Sequence, residues 1–100
     1  MNPIVLTDDA YEDIQNALAY LDHQSGSTHS GDRLRAGLQL AFQRIAANPL
    51  MGRPRPEIEE GIRGLVWKGY LILYHAYPPL IEIVRVVHQR RDLEGVFDST

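Results

Sequence analysis

The chain contains no cysteine, which excludes disulfide staples, thiolate nucleophiles and cysteine-ligated metals and fits a reducing cytoplasm. It has a single lysine, Lys68, and a single tryptophan, Trp67. No apolar run approaches the roughly 20 residues of a membrane-spanning helix. The start, M-N-P-I-V-L-T-D-D, has neither the basic nor the long apolar region of a secretory signal. There is no P-loop, no GxGxxG and no GxSxG. The four histidines, His23, His29, His75 and His88, have no metal-ligand spacing, and Asp8, Asp9, Glu12 and Asp13 do not follow the twelve-residue calcium loop. No cofactor and no metal are therefore expected, and the expected address is the cytoplasm, with no membrane contact.

Basic residues are missing from the first third. Residues 1–31 hold five carboxylates and no Lys or Arg, whereas residues 61–91 hold Arg63, Lys68, Arg85, Arg90 and Arg91 against Glu82 alone. This asymmetry points to a local anionic partner. A pI of about 5.7 argues against direct sequence-specific DNA binding by this chain alone.

One hundred residues make one domain, 1–100. Ile4, Val5 and Leu6 form a short apolar run, read as a strand. Thr7 or Asp8 caps the helix that follows, with acidic residues at its positive end. Ala10, Ile14, Ala17, Leu18 and Leu21 share one helical stripe, and Gln24–Ser27 breaks it. From about Thr28 to Ala47 a second stripe runs through Leu34, Leu38, Ala41, Phe42 and Ile45, ended by Asn48-Pro49. The two read as a helical hairpin. Three prolines between Pro49 and Pro56 rule out a regular element there and predict a stiff loop holding Arg53 and Arg55.

Three strands are predicted next: Ile62–Lys68, Tyr70–Tyr77 and Leu80–His88, with turns at Lys68-Gly69 and Pro78-Pro79. The class is α+β, a helical hairpin packed on one face of a small antiparallel sheet. Strict alternation puts Ile81, Ile83, Arg85 and Val87 on one face of the last strand, and Leu80, Glu82, Val84, Val86 and His88 on the other. Neither sheet face is polar throughout, and one helical hairpin covers only one. The second face therefore reads either as a partner-binding groove or as the bed of the C-terminal residues Leu93, Val96 and Phe97.

Arg63, Arg85 and His88 are the candidate catalytic set. A histidine acid or base with an arginine clamp suits RNA cleavage through the 2′-hydroxyl. The structural alternative pairs Arg85 with Glu82 or Asp92, with Asp92 also capping a short C-terminal helix. Arg53, Arg55, Arg90 and Arg91 are candidates for contact with a target. Trp67, Tyr70, Tyr74 and Tyr77 suit base stacking or, more commonly for strand aromatics, core and interface packing.

The blocks N-P-L-M-G-R-P-R-P-E and R-V-V-H-Q-R-R-D, with L-T-D-D-A-Y-E-D-I at the start and G-Y-L-I-L-Y between, resemble the ParE branch of the RelE/ParE toxin superfamily of bacterial type II toxin–antitoxin pairs. The resemblance spans nearly the whole chain. It implies a β-α-α-β-β-β toxin neutralised by an antitoxin (ParD-like or similar) whose extended, largely helical segment wraps it in a hetero-oligomer. Trp67, Tyr70, Tyr74 and Arg85 are the expected antitoxin groove. ParE-like relatives are associated with DNA gyrase, and RelE-like ones with mRNA cleavage on the ribosome. A single lysine and no tyrosine after Tyr77 lean toward the non-enzymatic gyrase reading. The endoribonuclease and an inert complex-forming member are the alternatives.

Overall fold

The computed structural model describes residues 2–26 and 29–90. The order is β1 (Ile4–Leu6), α1 (Asp8–Ser25), α2 (His29–Ala47), β2 (Arg53–Pro54), β3 (Arg63–Trp67), β4 (Tyr70–Tyr77) and β5 (Leu80–His88). The α+β expectation and its β-α-α-β-β-β order hold, with one addition. Arg53–Pro54 pairs with Arg63 and Gly64 as a short antiparallel strand. The Pro-rich loop was read as lacking any regular element, but proline is tolerated on an edge strand, where its missing N–H faces outward.

Thr7 caps α1. Its hydroxyl accepts from the Ala10 N–H at 3.0 Å and donates to the Val84 carbonyl at 2.8 Å, tying the helix start to the sheet. Asp8 and Asp9 occupy the first turn, and Gly26 ends the helix in the left-handed region at φ 69°. The stripes face the sheet as read. Ala10, Ala17 and Leu18 of α1 and Leu34, Leu38, Ala41 and Ile45 of α2 are buried against Tyr70, Ile72, Tyr74, Ile81, Ile83 and Val86.

The sheet order is β1-β5-β4-β3-β2, with β1 parallel to β5 and the other neighbours antiparallel. Lys68 (φ 45°) and Gly69 (φ 85°) turn β3 into β4, the two positive φ values of a type I′ hairpin. Pro78-Pro79, joined by a cis bond, forms the next turn. Strict alternation fails in β5. Tyr74 faces Ile83 and Leu73 faces Arg85, so Val84 is an extra, bulged residue. Beyond it the faces switch: Val86 joins Ile81 and Ile83 on the helix side, and Val87 lies on the other.

The second sheet face is not open. Leu71, Leu73 and Val87 are at most 1% exposed there, packed with Ile62 and Ile58. The cover is the segment 56–62, a run of turns held by Ile58 N–H to Arg55 O (3.0 Å) and Ile62 N–H to Glu59 O (3.2 Å). Glu59 also pairs with His75 Nε2, and the imidazole stacks on Tyr77. The expected choice was partner groove or C-terminal tail. The segment 56–62 packs on this face, and the expected C-terminal cover, Leu93, Val96 and Phe97, lies outside the described residues.

Candidate functional site

The three catalytic candidates do not converge. Arg63 lies opposite Tyr74 on β3 and donates through Nη1 to the carbonyls of Gly52 (2.8 Å) and Leu50 (3.3 Å). Arg85 meets Asp13 of α1 in a two-point ion pair, Nε to Oδ2 at 2.7 Å and Nη2 to Oδ1 at 2.9 Å. The same carboxylate accepts the Val86 N–H at 3.0 Å. That strand edge is bare because β1 stops opposite Ile83. Asp13, not Glu82, is thus the partner of Arg85, and Asp92 lies outside the described residues. His88 stands edge-on to Tyr70, with ring centroids 5.1 Å apart, and its Nδ1 accepts from the Arg90 N–H. Arg63 and His88 face β4 positions four residues apart, roughly 13 Å along the strand. General acid–base cleavage needs its acid, base and cation on one phosphate. This arrangement does not supply that.

Two of the expected groove residues are interior. Tyr70 is 6% exposed and Tyr74 fully buried, because the even-numbered face of β4 is the one the helices cover. Tyr74 acts inside the protein. Its hydroxyl donates to the Pro49 carbonyl at 2.7 Å and accepts the Gly52 N–H at 2.8 Å. Burial raises its pKa above the ordinary tyrosine value. With Arg63 it forms a clamp on both sides of Leu50 and Met51, which stay exposed at 67% and 37%. The stiffness of this loop therefore comes from the hydroxyl and guanidinium as well as from proline.

Of the four target-contact candidates, Arg53 and Arg90 are exposed. Arg55 is committed to Glu57, Nε to Oε2 at 2.6 Å, and that hydrogen bond holds the Glu57 carboxyl below its usual range. Arg91 lies outside the described residues.

Open apolar surface flanks α2. On one side a groove of about 230 Å³ runs between the helices, lined by Leu6, Tyr11, Ile14, Arg35, Leu38 and Phe42. On the other a groove of about 360 Å³ lies between α2 and β3, lined by Leu40, Met51, Val66 and Trp67. Arg44 and Lys68 also line it. Of the expected groove residues, Trp67 lines the second of these two grooves. Its ring passes so close to α2 that a Cβ on residue 37 would overlap the indole, and only glycine fits there. Leu40, Met51, Val66 and Tyr11 were missed by sequence reasoning. Leu40 and Tyr11 carried a signal: each is a large apolar-bodied residue outside its helix's buried stripe.

Among the described residues no cluster suits a metal ion and no helix is long and apolar enough to cross a membrane. The sheet order, the helical hairpin and the clamped Pro/Arg loop define a small α+β domain with a helical hairpin on one face of a mixed sheet. The chain belongs to the family described as the ParE toxin of the type II toxin–antitoxin system parDE, whose model matches residues 4–93. It is 29% identical over 89 residues to Toxin ParE1 of Caulobacter vibrioides, covering 89% of this chain and 91% of that one. It is 41% identical over 58 residues to Toxin ParE1 of Mycobacterium tuberculosis. That match covers 57% of this chain and spans 59% of the relative's length. A solved chromosomal ParDE toxin–antitoxin system from P. aeruginosa has the same fold, with a TM-score of 0.70 at 17% identity, over 88% of this chain and 96% of that one.

Proposed function

We propose that this toxin acts by binding rather than by catalysis, with DNA gyrase as its target, and that an antitoxin segment silences it by seating in the grooves beside α2. The observation that carries the reading is the contrast between the site classes. Arg63, Arg85 and His88 are spent on separate structural contacts, while apolar side chains line two open grooves. A surface of this kind suits the apolar face of an amphipathic segment. The second sheet face gives no support to an RNA track, since Ile58 seals it and the strap carries Glu57, Glu59 and Glu60.

The test is expression of the chain alone, with DNA synthesis and mRNA integrity followed separately and gyrase supercoiling assayed with purified protein. The expected result is arrest of DNA synthesis and inhibited supercoiling with intact mRNA. Rapid mRNA cleavage while replication continues would overturn the reading in favour of the endoribonuclease. Normal growth with neither effect would mark an inert member.

A further inference from the structure

The two ends of the sheet are protected unequally. At the β2 end, Arg53 and Pro54 supply a charge and a missing N–H, two common ways of blunting an edge strand. At the β1 end, Ile4, Val5 and Leu6 are all apolar, and among the described residues no strand lies outside them. The register tells which backbone groups are bare. The Ile81 N–H donates to the Pro3 carbonyl at 2.9 Å, and the Thr7 N–H donates to the Ile83 carbonyl at 3.0 Å. Hydrogen-bonding direction alternates along a strand, so Pro3, Val5 and Thr7 face β5. Ile4 and Leu6 turn both N–H and C=O outward. Pro3 therefore blunts nothing, because its missing donor lies on the paired side.

These outward groups are spaced for a second copy of the same strand. An antiparallel copy, related by a two-fold axis through Val5, sets Ile4 opposite Leu6 of the second copy and Leu6 opposite its Ile4. Both are then hydrogen-bonded pairs, and every outward group of the strand is met. Val5 falls on the axis opposite the second copy's Val5, on the sheet face away from the helices, where it is 42% exposed. Opposed β-branched side chains stabilise such a pair. On the helix side, Leu6 and Tyr11, 39% and 58% exposed, carry the apolar strip onto α1. The strand is bounded at both ends. α1 begins at Asp8, and the Asn2 backbone and side chain are tied to the Ala46 carbonyl at 3.2 and 3.1 Å. A two-fold partner uses the whole of this short edge.

We propose that the free chain pairs with a second copy of itself through β1, joining two sheets into one across a two-fold axis. The contact is isologous and closes, since pairing leaves neither β1 with an open edge. Its small area makes a weak dimer, half-formed at roughly 10–100 μM. The contact lies at the edge of the sheet opposite β2 and needs no other protein, so it stands apart from the antitoxin reading above.

The test is analytical ultracentrifugation of the full chain, free of other proteins, from about 1 μM to about 1 mM, with amide hydrogen exchange at both extremes. The mass is expected to rise from 11.3 kDa to twice that value. The Ile4 and Leu6 amides are expected to slow about tenfold or more at high concentration, while Val5 and Thr7, already bonded to β5, change less. Val5→Lys and Val5→Glu each set like charges face to face on the axis. Each is expected to weaken self-association about 100-fold, and an equimolar mixture of the two to restore it. A chain that keeps its monomer mass at the highest concentration would overturn the proposal. So would a dimer that Val5→Lys leaves intact, or one in which Ile4 and Leu6 exchange at their dilute rate. The exchange measurement uses the parent chain, so it decides even where a charged variant fails to fold.

Discussion

The two sides of this sheet solve the same problem in opposite ways. On the second face, Leu71, Leu73 and Val87 are buried, with Ile58 and Ile62 of the protein's own strap packed among them and Glu59 fastened to His75. Beside α2 no segment of the described chain covers Leu40 or Met51. The Tyr74–Arg63 clamp holds the nearest loop back rather than letting it fold over them. The first surface is a finished core. The second is apolar, edged with cations and supported by buried hydrogen bonds. Apolar surface left exposed on a rigid frame is surface kept for a partner, which is the basis for reading this toxin as a docking protein.

Substitutions of matched size on the two surfaces separate these roles. The largest effect is expected from Ile62→Ala. It empties part of the sealed face and should cost about 2–5 kcal/mol, a fall in Tm of roughly 10 °C or more by thermal denaturation. A loss under half a kcal/mol would mean that the strap is not a core element.

Tyr74→Phe comes next. It strands the Gly52 N–H and the Pro49 carbonyl, for about 1–3 kcal/mol. Its pH signature is separate. The folded pKa of Tyr74 is raised, so its contribution to stability is present below the unfolded value of 10.0 and is lost as the pH rises from there through the folded pKa. Denaturation from pH 8 to 11 should show the parent falling more steeply than the phenylalanine variant.

Asp13→Asn weakens the Arg85 pair and the hold on Val86, with an expected cost of about 1–2 kcal/mol. The same measurement sharpens the question of Arg85. If Arg85→Met lowers Tm yet leaves any toxicity of the folded fraction intact, Arg85 is a structural residue. Abolished toxicity with unchanged Tm would return it to a functional role. The smallest effect on stability is expected from Leu40→Ala, within about 0.5 kcal/mol, although it should still weaken antitoxin binding measurably by calorimetry.

The helices, the hairpin turn and the three-strand meander were legible because each rests on a local rule: a 3.6-residue stripe, a capping hydroxyl, a Lys-Gly turn. Three features were not. The bulge at Val84 depends on how β5 meets both β1 and β4, so strict alternation assigned Val86, Val87 and His88 to the wrong faces. The Arg85–Asp13 pair joins positions 72 apart in sequence, and nothing near either residue announces it. The strap over the second face looked like a loop carrying charges, since Ile58 and Ile62 lie among glutamates and glycine and show no period. The candidate site followed the same pattern. Trp67 was read as a groove residue and lines one. Tyr70 and Tyr74 were assigned with it, but lie inside because the helices cover the even-numbered face.

The most direct test of the docking account is the affinity of the antitoxin for a toxin carrying Leu40→Glu and Met51→Glu, measured beside its thermal stability. The account predicts a Tm within a few degrees of the parent and a loss of affinity of about 100-fold or more. An unchanged affinity in a folded double variant would contradict it.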